Sequence, residues 1–187
     1  MLRTYLDGAV FGTTAGTGPP RALLLHGWRR TREDFAQSAA LLADQGIASL
    51  AIDLPGFGAS PPPPIAIGAR GYATMLAPLL GQLAADAGPL LVVGHSFGGR
   101  VGTCLAANEP GVVAGGVLSG VPLLRGLMPR ARTSRRYLAI RTLARLGLLP
   151  DAALERARLR YGSSDYRAAT GVLRDVLVAC VAETYEA

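Results

Sequence analysis

The sequence contains no lysine: all 19 of its basic residues are arginine. It holds two histidines, two cysteines and one tryptophan, and only 17% of its residues are charged. Each shortage excludes something. So few charges in a chain that is half apolar exclude a disordered segment or a fibrous repeat. Arg, Asp, Gly or Pro interrupts every apolar run before it reaches the roughly 18 residues of a membrane span, so no membrane-crossing helix is expected. The opening stretch MLRTYLDGAVFG carries both an Arg and an Asp and has no apolar centre, so no secretory signal is expected in it. Cys104 and Cys180 lie in helix-like segments, as expected of reduced thiols in a cytoplasmic protein. The 187 residues predict one domain with a sizeable core.

The charge is local. Residues 125–160 carry ten Arg against Asp151 and Glu155, a net +8, while the remaining nine Arg and eleven acids sum to −2. An arginine-only basic set beside abundant Ala, Gly and Pro fits GC-rich coding. The basic segment lacks the interleaved aromatics and the reading motif of a nucleic-acid surface, so no nucleic-acid partner is expected.

Along the chain, short apolar runs alternate with helical patterns, which predicts an α/β fold with a parallel sheet. Leu2–Leu6 and Ala9–Thr13 flank Asp7-Gly8, a hairpin signal. Strands are expected over Ala22–Leu25, Ile47–Ile52, Leu90–Val93 and Val112–Leu118. Helices are expected from Thr31 or Asp34 to Gln45 with Phe35, Leu41 and Leu42 inward, from about Gly71 to Ala87, and from Phe97 to Asn108. Pro61–Pro64 forbid helix or sheet between them. After Pro122 the strand-like runs stop, and arginine-rich helical patterns broken by Pro129, Gly147, Pro150 and Gly162 fill the rest. The boundaries this predicts are a core over 1–121 and a helical segment over 122–187.

One motif carries chemistry on its own. Gly94-His95-Ser96-Phe97-Gly98-Gly99 ends a buried strand and opens a helix. A sharp strand-to-helix turn pushes its middle side chain into an exposed position, and Gly94 and Gly98 remove the Cβ atoms that would collide across it. Ser96 then stands at a helix N-terminus, where free N–H groups and the helix dipole favour developing negative charge. Two more motifs end earlier strands: His26-Gly27-Trp28, and Asp53-Leu54-Pro55-Gly56-Phe57-Gly58-Ala59-Ser60.

In this order the three motifs resemble the α/β-hydrolase family across essentially the whole chain. The resemblance implies a central, mostly parallel sheet with a helical cap over 122–187. It makes Ser96 the nucleophile of an ester, thioester or lactone hydrolase, with the backbone N–H groups of Trp28 and Phe97 as oxyanion donors. A serine here argues against the haloalkane dehalogenases and epoxide hydrolases, which attack with a carboxylate. His26, Gly27 and His95 are expected along the pocket, Asp53 in loop structure, and Cys104 in the core. The Trp28 side chain either lines the pocket or packs beside the oxyanion hole. The partner implied is a small-molecule acyl substrate, and the chemistry requires no cofactor or metal.

The resemblance also implies a histidine base and an acid downstream of Ser96. No histidine follows Ser96, and the carboxylates after it fall in the helical segment. The expectation is therefore a chain lacking the family's last strands, with activity weak or absent. Val112–Leu118 would stand as a bare apolar sheet edge open to self-association. Acyl transfer on the same turn and non-catalytic ligand binding are the alternatives.

Overall fold

The computed structural model describes residues 1–123 and 134–185. Six strands, β1 (Leu2–Tyr5), β2 (Val10–Ala15), β3 (Ala22–Leu25), β4 (Ser49–Asp53), β5 (Leu90–His95) and β6 (Val113–Ser119), form one sheet. Their spatial order is β1-β2-β4-β3-β5-β6. The first two pairings, β1 with β2 and β2 with β4, are antiparallel; β3–β4, β3–β5 and β5–β6 are parallel. The class is α/β, as the alternation of patterns predicts.

Burial follows sheet position. Leu23, Leu24 and Leu25 of β3 and Leu50 and Ile52 of β4 are fully buried because helices cover both faces of these central strands. In β5 burial alternates: Leu90 and Val92 are buried, whereas Leu91 is 42% exposed. The buried set faces α2 (Ala69–Ala87) and α3 (Phe97–Asn108), which pack together on one side of the sheet. On the other side α1 (Ala36–Asp44) lies over β2 and β4.

α2 buries Ala69, Tyr72, Ala73, Leu76, Leu79, Leu80 and Leu83, a helical stripe with the spacing of a single face. α1 differs from expectation at Leu41, which is 60% exposed. Phe35, Ala39 and Leu42 form its inward face at i, i+4 and i+7, and Leu41 falls off that stripe. The first hairpin also differs. Tyr5 opposite Val10 is its last pair, so residues 6–9 leave the ladder, with Leu6, Asp7 and Gly8 at positive φ. Residues 6–9 form a four-residue connection in place of the two-residue turn expected at Asp7-Gly8.

The helices after Pro122 are α4 (Arg135–Arg145), α5 (Asp151–Tyr161), α6 (Ser164–Ala168) and α7 (Val172–Ala182). Arg125, Pro129, Arg130 and Arg132 lie outside the described residues. α4 and α5 pack together, and α7 inserts Val176 and Cys180 into the main core. Its exit is anchored as well. The Glu183 carboxylate accepts the Ala69 and Arg70 amide N–H groups at 2.8 and 3.2 Å, capping α2 from 114 residues away. Among the described residues no helix is long and apolar enough to cross a membrane.

Candidate active site

β3 lies between β4 and β5, so the chain leaves it first to one side and then to the other. In open α/β sheets ligands bind outside the carboxyl ends of the strands at such a reversal. Here the segment after β3 (His26-Gly27-Trp28) meets the turn after β5 (His95-Ser96-Phe97).

Ser96 has φ 50° and ψ −107°, a left-handed backbone that a non-glycine residue adopts only under constraint. The constraint is visible in its neighbours. A Cβ on Gly94 would lie 2.5 Å from the Gly99 Cα, and one on Gly98 would collide with the carbonyls of Leu25 and His26. The Gly98 N–H donates to the His26 carbonyl at 3.0 Å, and the Ser96 N–H to the Ser119 carbonyl at 2.9 Å. The turn is thus pinned to β3 on one flank and to β6 on the other. Neither the Trp28 nor the Phe97 amide donates to an acceptor among the described residues.

Ser96 opens onto a cavity of about 170 Å³, lined by Trp28, Phe97, Arg100, Pro122, Asp165, Leu177, Cys180 and Val181. Trp28 both lines this cavity and packs edge-on against Phe57 and Phe97, with centroids 5.0 and 5.4 Å away. Tyr72 stacks edge-on to Phe97 at 5.0 Å and donates its hydroxyl to the Pro55 carbonyl at 2.8 Å. These aromatic contacts fix the floor, while α6 and α7 supply the roof. Burial pushes the Cys180 thiol up to about 12, so it stays a neutral lining group. Burial also raises the Cys104 thiol, a core residue of α3.

The two histidines serve elsewhere. His26 is fully buried; its Nε2 accepts the Leu54 N–H at 2.9 Å, which leaves Nδ1 to donate to the Gly27 carbonyl at 2.8 Å. Desolvation holds it below the usual imidazole range, in the neutral form that this bonding requires. It is a strut between β3 and the end of β4 and does not line the cavity beside Ser96. Gly27 sits under the turn, where an added Cβ would stand 3.0 Å from the His95 ring and 3.6 Å from the Ser96 Cβ. His95 is exposed and lines a different cleft, of about 430 Å³, with Arg30, Asp34, Phe35 and Ser119. There the Arg30 guanidinium grips both Asp34 oxygens and holds that carboxyl below its ordinary range.

Asp53 is likewise structural. Fully buried, its carboxylate accepts the Arg32 and Ala59 amides at 2.8 Å each and pairs with the Arg32 guanidinium. Sequence reasoning missed Arg100, Asp165 and Cys180. Arg100, four residues beyond Ser96, donates to the Cys180 carbonyl at 2.8 Å and lies over the Tyr185 ring. Asp165 and Cys180 come from the helical segment, and no local pattern announces where that segment docks. Among the described residues no three His, Cys, Asp or Glu side chains gather to hold a metal ion.

Comparison with known proteins agrees with this architecture. The chain is 34% identical over 109 residues to the pimeloyl-[acyl-carrier protein] methyl ester esterase of Sodalis glossinidius, covering 57% of this chain and 38% of that protein. The epoxide hydrolase CorEH superposes with a TM-score of 0.57 at 27% identity, over 82% of this chain and 53% of its own. Epoxide hydrolase VrEH1 from Vigna radiata gives 0.59 at 25% identity, over 76% and 46%. The chain thus spans between about a third and a half of the length of these relatives. The profile of the alpha/beta hydrolase family matches residues 22–185, from the first strand beneath the site to the last residues that roof it, and the chain belongs to that family.

Proposed function

We propose that this protein is a serine-type acyl hydrolase, acting on an ester, thioester or lactone through Ser96. The observation that carries the reading is Ser96 itself. It stands at φ 50° on a turn held by its glycines, at the N-terminus of α3, opening onto a cavity about the size of a small acyl group. The Trp28 and Phe97 amides, free of acceptors among the described residues, are the two oxyanion donors in this reading. Each such donor is typically worth ~3 kcal/mol of transition-state stabilisation. The esterase relative supports an ester-type substrate. The epoxide hydrolase neighbours share the fold, while a serine at position 96 favours acyl attack over their chemistry.

Neither histidine of this chain meets Ser96: His26 has both nitrogens committed and His95 faces the other cleft. We infer that the 187 residues alone turn over weakly. Without its base a serine hydrolase retains on the order of 10³-fold over water from its oxyanion hole and binding. The test is a fluorophosphonate probe with mass-spectrometric mapping. Slow modification confined to Ser96, absent in Ser96→Ala, is expected. Modification elsewhere, or none at high probe concentration, sinks the reading. The placement of the histidines favours one second reading, an acyl-ligand-binding protein without turnover, which predicts ligand binding together with an unmodified Ser96. Acyl transfer on the same turn is distinguished by whether added alcohol diverts the acyl group from water.

A further inference from the structure

Gly27 to Arg30 form a turn beside the site: the Arg30 N–H donates to the Gly27 carbonyl at 3.1 Å, and Arg29 stands at φ 58°. A positive φ at the third residue of a turn, with Trp28 before it outside that region, marks a type II turn, where glycine is strongly favoured. An arginine holds this position against its backbone preference, and such outliers cluster at ligand sites. Its side chain has little structural work. Arg29 Nη1 lies 3.8 Å from Asp165 Oδ1, beyond hydrogen-bond reach, and the two side chains are 53% and 50% exposed. An exposed pair of this kind adds little stability. Its place says more. Asp165 lines the Ser96 cavity, so the Arg29 guanidinium sits at the border of that cavity. Arg29 also lines a second cavity, of about 280 Å³, and Trp28 lines both. Among the described residues no carboxylate lines the second cavity, whereas Arg29, Arg30, Thr31 and Thr170 do. Arg30 commits its Nε and Nη2 to Asp34, which leaves Arg29 as the cation there that no carboxylate grips among the described residues.

We propose that Arg29 is a specificity-determining residue and the second cavity an anion subsite, the guanidinium taking a carboxylate or phosphate at the end of the substrate remote from the scissile carbonyl. The inference rests on the hydrolase reading, which sets the scissile carbonyl at Ser96. A planar guanidinium pairs two oxygens of such a group side by side, and the loose contact with Asp165 gives way to it. The substrate class this selects is an acyl ester or thioester whose chain passes Trp28 and ends in an anion. A neutral ester of equal length lacks the group that Arg29 receives.

The chain has a single tryptophan and it lines both cavities, so its fluorescence reports their occupancy. The probes are monomethyl alkanedioates from the butanedioate to the decanedioate, their neutral dimethyl esters, and methyl ω-phosphonooxyalkanoates of matching length. At neutral pH the best-fitting monoester or phosphate is expected to bind about tenfold more tightly than the diester of its length, as one charge-assisted hydrogen bond allows. The larger of the two gains names the anion. Arg29→Gly suits the turn, so this variant is expected to melt no lower than the wild type and to bind charged and neutral probes alike. Equal binding of charged and neutral probes by the wild type at every length overturns the proposal. So does a preference that survives in Arg29→Gly, or the binding of none of the probes. The wild-type titration decides even if the variant fails to fold. Fluorophosphonate labelling of Ser96 without an anion preference overturns the subsite alone. An anion preference without labelling overturns the hydrolase reading and leaves an anion-binding site.

Discussion

At the scale of single residues, the motif positions divide into those that face a ligand cavity and those that hold the loops bearing them. Asp53, at the end of β4, belongs to the second group: its buried carboxylate, bound by two amides and a guanidinium, is left undercompensated if any partner is removed. Removing one member of such a pair typically costs about 3–5 kcal/mol. Asp53→Ala is expected to lose stability on that scale in urea unfolding, through a lower midpoint at unchanged slope. His26 yields a pH dependence of defined sign. Its folded form resists protonation, chiefly by desolvation, while the unfolded chain titrates near the ordinary 6.5. The unfolded state therefore binds more protons below that value, and stability falls as pH drops through 6.5, by at most about 1.4 kcal/mol per pH unit for this one group. His26→Gln should flatten the slope of unfolding free energy against pH between about 6.5 and 5; an unchanged slope would assign the acid sensitivity to other groups.

At the scale of elements, close approach does the positioning. α3 abuts the end of β3 so tightly that Gly98 has no room for a methyl group, and its N–H bonds the His26 carbonyl across the gap. Gly98→Ala should cost about 1–3 kcal/mol through overpacking, seen as a Tm lowered by roughly 2–4 °C per kcal/mol. Fluorophosphonate modification of Ser96 should slow with it, because the displaced turn carries the nucleophile. α7 is held by a different device, the Glu183 carboxylate capping α2 across the fold. Glu183→Ala is expected to cost about 0.5–2 kcal/mol, in the range of a lost helix cap. The loss should be most visible as earlier proteolysis within 164–182, since the core strands do not depend on this contact.

At the scale of the whole molecule, the sheet has two edges among the described residues, β1 on one flank and β6 on the other. β6 stands at the edge beyond β5, with Val117 63% and Leu118 47% exposed. A parallel-paired apolar strand whose outer ladder has no partner among the described residues is a template for another strand. Self-association of the chain through this edge is our reading of it. Sedimentation velocity should show concentration-dependent oligomers, and Val117→Lys should shift them toward monomer. A monodisperse wild-type monomer at every concentration would remove that reading.

Much of this was legible in the residues themselves. Chain steric rules act over a few residues, so a strand ending in Gly-His-Ser-Phe-Gly-Gly is confined to one sharp turn, and the apolar runs of β3 and β4 announce central strands buried on both faces. The same local rules place Trp28 just after β3, while Asp53, expected in loop structure, is the last residue of β4 and pairs with Phe11. What they leave open is what each side chain meets. Where Trp28 packs is decided by Phe57 and Phe97, which arrive from the segment after β4 and from the start of α3. The fates of His26 and His95 depend on Leu54, Arg30 and Asp34 in the same way. Asp165 and Cys180 reach Ser96 only because Val176, Cys180 and Glu183 find partners on α2 and in the core. Burial and cavity shape are sums over contacts distant in sequence, and so only the tertiary structure decided them.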